Sequence, residues 1–161
     1  MDPGGGRDLW LDLGLLAVVV PAAVIDLDRR VIPNVILLPG AITALAMLGL
    51  TRPHDLPEHA VAAVGAGGLL LAAALASPGG MGMGDVKLAA VMGLYLGRSV
   101  AVAMLVALLA GTVAGGLVIA RRGVRHGRKA ALPLGPFLAM GAVVGMVAGP
   151  AAIGWYSGRF F

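Results

Sequence analysis

The chain has 161 residues, 59% of them apolar and only 12% charged, with a mean hydropathy of +0.95. That balance excludes an ordinary soluble domain and indicates an integral membrane protein. No cysteine is present, which excludes disulfides, thiolate zinc sites and a cysteine nucleophile, and the net charge of +4 is read as basic loops and anionic lipid contacts instead of nucleic-acid binding.

Met1 to Asp8 is Gly-rich and carries both charge signs. No basic stretch precedes the first apolar run and no A-x-A-like site follows it, so a cleaved signal peptide is not expected. A hydrocarbon core of roughly 30 Å takes about 20 apolar residues of helix. Six runs qualify in some form: Leu9 to Ile25, Asn34 to Leu50, Glu58 to Ala76, Val86 to Gly97, Ser99 to Ala120, and Leu132 to Ile153. The fourth is short and requires either tilting or burial among the other helices. Pro39 should kink the second run or end its first turns. The 26 glycines suit close helix packing in lipid. No stretch is polar enough for a separate soluble domain and no internal repeat stands out. The expectation is a single integral-membrane domain over residues 1–161, an all-α bundle of about six transmembrane helices.

Orientation follows from the loops. Arg29, Arg30, Lys87, Arg121, Arg122, Arg125, Arg128 and Lys129 fall on one side, against Arg7, Arg52, Arg98 and Arg159 on the other. The positive-inside rule then puts the N-terminus outside and the richer side in the cytoplasm. Asp26, Asp28 and Asp85 share that cytoplasmic side at similar depth. Asp2, Asp8, Asp12, Asp55 and Glu58 lie on the far side.

Carboxylates near hydrocarbon are costly and are functional candidates by default. Two at one depth can share a proton and work as base and acid together, with no cofactor and with water from the adjacent aqueous phase. Other chemistries fit less well. Ser77 and His126 share a side, but no G-x-S-x-G elbow surrounds Ser77. His54, Glu58 and His59 cluster in an outer loop without H-E-x-x-H spacing, so no metal site is expected. Gly79, Gly80, Gly82 and Gly84 let the loop before Asp85 fold tightly and bring backbone close to another chain. The plainer reading is that Asp85 only caps the fourth helix and the glycines only make a turn. Asp26 and Asp28, two apart, point to different sides of a helix, so at most one faces the bundle. Asn34 is a natural N-cap for the second helix, Arg29 and Arg30 are topology anchors, and Lys87 either anchors the headgroup boundary or holds a neighbouring carboxylate ionised.

Three stretches carry a family resemblance. Asp26-Leu27-Asp28-Arg29-Arg30-Val31-Ile32-Pro33-Asn34 places Ile-Pro-Asn five residues after an aspartate. Gly82-Met83-Gly84-Asp85-Val86-Lys87 has the G-x-G-D pattern, and Leu132-Pro133-Leu134-Gly135-Pro136-Phe137-Leu138-Ala139 contains Pro-x-Gly-Pro-Phe. Together, and in this order, they resemble the type IV prepilin peptidases, membrane aspartyl proteases of the GxGD class. The resemblance spans nearly the whole chain. It implies cleavage of prepilin or pseudopilin leaders after a glycine at the cytoplasmic boundary of a multi-pass plasma (inner) membrane protein. It makes Asp26 and Asp85 the catalytic pair, with Asp28 the less favoured member and Gly82, Gly84, Lys87, Pro33 and Asn34 in supporting positions. Many bacterial relatives add a cysteine zinc motif and N-methylate the product; a chain without cysteine looks like the short, peptidase-only form. Leu134 stands where the family often has Phe.

The dipoles at the helix ends suggest that Asp85, at a helix N-terminus, is the ionised partner, and that Asp26, at a helix C-terminus, holds the shared proton. Neither metal nor cofactor is expected. The expected partners are the pilin-like substrate and membrane lipid, and the sequence carries no signal for oligomeric state. The alternative is a small transporter or proton relay using the same aspartates, although they lie at a boundary and no broken-helix pair flanks a central site.

Overall fold

The computed structural model describes residues 9–76, 81–122 and 133–160. Six α-helices account for most of them: α1 (Leu9–Arg29), α2 (Asn34–Thr51), α3 (Leu56–Ala76), α4 (Met83–Leu96), α5 (Val100–Arg122) and α6 (Gly135–Phe160). Short 3-10 turns at Pro53–Asp55 and Gly97–Ser99 join α2 to α3 and α4 to α5. There is no strand among the described residues.

Among the described residues, five helical stretches are long and apolar enough to cross a membrane, one of them the continuous 39 residues Met83–Arg121 that Gly97 divides into α4 and α5. Gly97 makes that break with a φ of +53°, in the left-handed region that favours glycine. Lipid-facing side chains such as Trp10, Val20, Leu38, Val64, Leu109 and Val147 are exposed and apolar. This is the surface of a chain whose solvent on that side is hydrocarbon. The protein is a multi-pass membrane protein. Its orientation in the bilayer rests on loop cations of which Arg125, Arg128 and Lys129 lie outside the described residues, as do Gly79, Gly80, Ser77, His126 and Leu132.

The short run expected at Val86 to Gly97 is the centre of the bundle. With 14 residues α4 is about 21 Å long, too short to span, and Leu88, Ala89 and Met92 on it are fully buried. The core joins these to Leu15, Val19 and Ala22 of α1, Ala44 and Leu48 of α2, Leu70 of α3 and Leu138 of α6. Tyr95 Oη donates to the carbonyl of Gly40 at 2.8 Å, tying α4 to α2. Pro39 sits inside α2 without ending it.

Small residues set the helix spacings. Along α6, Gly141, Gly145 and Gly149 lie one turn apart and face Ala103 and Ala107 of α5 and Ser99 of the turn before it; a Cβ on Gly145 would stand 2.7 Å from Cβ of Ala103. Gly93 meets the backbone of Ala62 and Ala63 on α3 in the same way. Such contacts trade side-chain volume for close backbone approach, the main source of helix association where lipid removes the hydrophobic drive. α3 therefore packs along α4 and α5 along α6, while α1 lies against α6, α2 and α4.

Candidate active site

Three helix ends meet at one end of the bundle. Helix α1 stays helical past its apolar run, so Asp26 lies on its last turn. Arg30 then adopts a φ of +54° and its N–H donates to the carbonyl of Asp26 at 2.9 Å. This is a left-handed stop of the kind usually made by glycine, at a cost of about 1 kcal/mol for a residue with a Cβ. Pro33 is extended and serves as N-cap of α2 without a side-chain bond. Asn34, expected to cap that helix, is instead its first helical residue. One position past the cap, its side chain turns across to α4, and Oδ1 accepts from Lys87 Nζ at 3.0 Å. Lys87 thus pairs with an amide and not with a carboxylate.

Helix α4 begins after Gly82, which is extended (φ −79°, ψ 144°) and makes no side-chain cap. The N–H of Asp85 donates to the carbonyl of Gly82 at 3.1 Å. Asp85 is therefore inside the first turn, three residues past the N-cap position, and its carboxylate also takes a backbone hydrogen bond from Gly82. The two glycines of Gly82-Met83-Gly84-Asp85 differ. A Cβ on Gly84 would stand 2.9 Å from Cβ of Ile32, whereas one on Gly82 would meet nothing nearer than Asp85 Oδ2 at 3.5 Å. Gly84 is there for close approach: it lets the start of α4 seat against the α1–α2 connection.

The third helix end was not among the candidate site residues. The N–H of Gly135, first residue of α6, donates to Asp26 Oδ2 at 2.8 Å across 109 positions of sequence. A Cβ on Gly135 would lie 2.6 Å from that same oxygen. The only sequence signal for it was the Pro-Leu-Gly-Pro-Phe stretch, which named no partner.

Asp26 and Asp85 are 5% and 8% exposed, buried on different helices, and both line one cavity of about 340 Å³ with Arg30, Asn34, Gly82, Gly84 and Lys87. Pro33 is next to the lining and not part of it. Asp28 is exposed, so of the two aspartates on α1 it is Asp26 that faces the bundle. Oδ1 of Asp85 is buried and meets no hydrogen-bond partner among the described residues. Leaving a buried carboxylate oxygen unpaired costs stability, and such atoms gather where chemistry is done. The outer cluster is structural by contrast. His59 Nδ1 donates to the carbonyl of Leu94 at 2.7 Å and Glu58 pairs with Arg98 at 3.0 Å. Among the described residues no three His, Asp or Glu side chains group as metal ligands.

The family model of the type IV leader peptidase family matches residues 13–120, which include Asp26 and Asp85 but stop short of Gly135. Curated relatives are similar over most of the chain. The prepilin leader peptidase/N-methyltransferase of Bacillus subtilis (strain 168) is 32% identical over 155 residues, 95% of this chain and 61% of that protein. That of Aeromonas salmonicida (strain A449) is 31% identical over 164 residues, 97% of this chain and 54% of that protein. That of Aeromonas hydrophila is 30% identical over 154 residues, 89% and 51% respectively. The chain thus spans between half and about three fifths of these relatives. No solved structure matches it. With the matched segment covering α1 to α5 and both buried aspartates, the chain belongs to the type IV leader peptidase family.

Proposed function

We propose that this chain is a membrane aspartic endopeptidase that cleaves the leader of a prepilin or pseudopilin-like protein after a glycine, at the cytoplasmic face of the plasma membrane. The observation that carries the proposal is the convergence of Asp26 and Asp85, two buried carboxylates from separate helices, on one cavity. Paired carboxylates need no cofactor. One takes a proton from water as its oxygen attacks the scissile carbonyl carbon, and the other gives its proton to the carbonyl oxygen. The pair holds one proton between them because like charges at short range do not both ionise. Gly84 and Ile32 keep the two helix ends together, and the cavity gives an extended peptide access to both acids. The names of the relatives support the substrate class, and the loop cations support the cytoplasmic placement.

The test is incubation of the purified protein in lipid with a prepilin peptide spanning the leader and the start of its apolar helix. Cleavage after the glycine, lost in Asp26→Ala and in Asp85→Ala proteins that still insert, is the expected result. Full cleavage by either variant would sink the assignment. Intact peptide together with proton flux across the vesicle membrane would instead identify a proton relay.

A further inference from the structure

The resting arrangement is not symmetrical between the two aspartates. Asp26 Oδ2 receives the N–H of Gly135 at 2.8 Å, while Asp85 Oδ1 is buried without a partner. Asp26 lies at the C-terminal turn of α1, whose dipole disfavours negative charge, but the group that touches it is the first N–H of α6. A helix N-terminus presents unpaired N–H donors and a positive dipole end to an anion. That direct hydrogen bond outweighs the opposing end of α1, because a hydrogen bond to a charged group is worth more than the usual effect of a helix end. Asp85 has a backbone donor in Gly82, within the first turn of its own helix, but its Oδ1 stays without a partner.

We infer that Gly135 is a positioning residue that holds Asp26 as the water-activating carboxylate and leaves Asp85 to supply the proton. This inverts the assignment suggested by the ends of α1 and α4 alone. It rests on the peptidase reading above. In the first step Asp26 takes a proton from water, the water oxygen bonds to the carbonyl carbon, and the Asp85 carboxyl passes its proton to the carbonyl oxygen. The neutral gem-diol then collapses. A diol hydroxyl returns its proton to Asp85, the carbon–nitrogen bond breaks, and the leaving nitrogen takes the proton from Asp26. Both side chains end as they began. Two features fit position 135 to this role, and only the first requires glycine. A Cβ would press on the very oxygen that the N–H holds, and the first N–H of a helix has no competing carbonyl within the helix.

α6 is suited to this task because its position is fixed elsewhere. The Gly141, Gly145 and Gly149 face clamps it to α5, so its first turn does not float. Positioning by a backbone donor on a clamped helix leaves no side-chain rotamer to order.

The N–H can be removed without adding a Cβ by replacing Gly135 with glycolate, its α-hydroxy-acid counterpart, through a suppressor tRNA in the full chain. The expected result is a fall in kcat on the prepilin peptide on the order of 10- to 100-fold, the range for losing a hydrogen bond to a charged group. KM should stay within about threefold, because substrate binding does not use this bond. Gly135→Ala should lose activity as well, and Gly154→Ala, on the same helix with open space around it, should match the parent. An ester variant with the parent's kcat, or one whose loss lies in KM and not in kcat, overturns the inference. Should Gly135→Ala fail to fold, the ester variant decides. Cleavage by Asp26→Ala would defeat the peptidase reading itself, whereas an inactive Asp26→Ala beside a fully active ester defeats only the role of Gly135.

Discussion

The two ends of α4 are built on different terms. At its C-terminal end the polar groups are paired off: His59 with the carbonyl of Leu94, Glu58 with Arg98, and Arg52 with Asp55 at 3.8 Å. At its N-terminal end Asp85 is buried with an oxygen left unpaired, and Asp26 is held by a single backbone N–H. Chain connections differ accordingly. One end closes through a tight 3-10 turn at Gly97; the other gathers the ends of α1, α4 and α6 and the α1–α2 connection around a cavity. The satisfied end serves the fold, and the unsatisfied end retains groups whose needs a substrate and water can meet.

The sharpest way to break this contrast is to remove a carboxylate charge at the cavity. Asp26→Asn or Asp85→Asn should lower prepilin cleavage by roughly 10⁴-fold or more, with helicity by circular dichroism unchanged. Next is the seat of α4. Gly84→Ala forces a methyl against Ile32 and should cost about 1–3 kcal/mol of local fit, seen as a large fall in cleavage and a lower thermal midpoint. Gly82→Ala has room and should leave both within about twofold of the parent. Equal damage from the two alanines would contradict the distinction between them. Asp28→Ala, at an exposed carboxylate next to the site, should likewise leave cleavage within about twofold. At the paired end, Arg98→Gln breaks an ion pair whose members are 72% and 38% exposed. It should change stability by less than about 1 kcal/mol and leave cleavage alone; a marked loss of activity would show that the two ends are coupled.

Much of the architecture was legible because lipid simplifies the code. Apolar runs longer than a bilayer is thick give helices directly, and the second run from Asn34 begins where α2 begins. The differences lie at polar ends. The first apolar run ends at Ile25 and α1 continues to Arg29, which keeps Asp26 at a helix C-terminus as expected, since backbone hydrogen bonding does not end where hydrophobicity does. α4 starts at Met83, three residues before the apolar run, and this puts Asp85 inside a turn instead of at a cap. Of the site, Asp26 and Asp85 were readable as rare carboxylates sharing a side, and the choice of Asp26 over Asp28 agrees with their burial. The bond from Gly135 to Asp26 was not readable. It joins a backbone atom, which leaves no trace in residue identity, to a side chain 109 positions away. The Lys87–Asn34 contact escaped for a related reason, since either residue has several plausible local partners.

The brevity of α4 has a consequence of its own. Twelve residues separate Asp85 from Gly97, about 18 Å of helix, in a hydrocarbon layer of roughly 30 Å. The carboxylate and the Gly97 turn cannot both rest at headgroup level. Either water descends to the acids through a vestibule, or the lipid thins locally to meet them. The hydrophobic thickness of the surrounding bilayer is thereby a working parameter of the protein, and acyl-chain length becomes a control on how readily the buried acids are wetted.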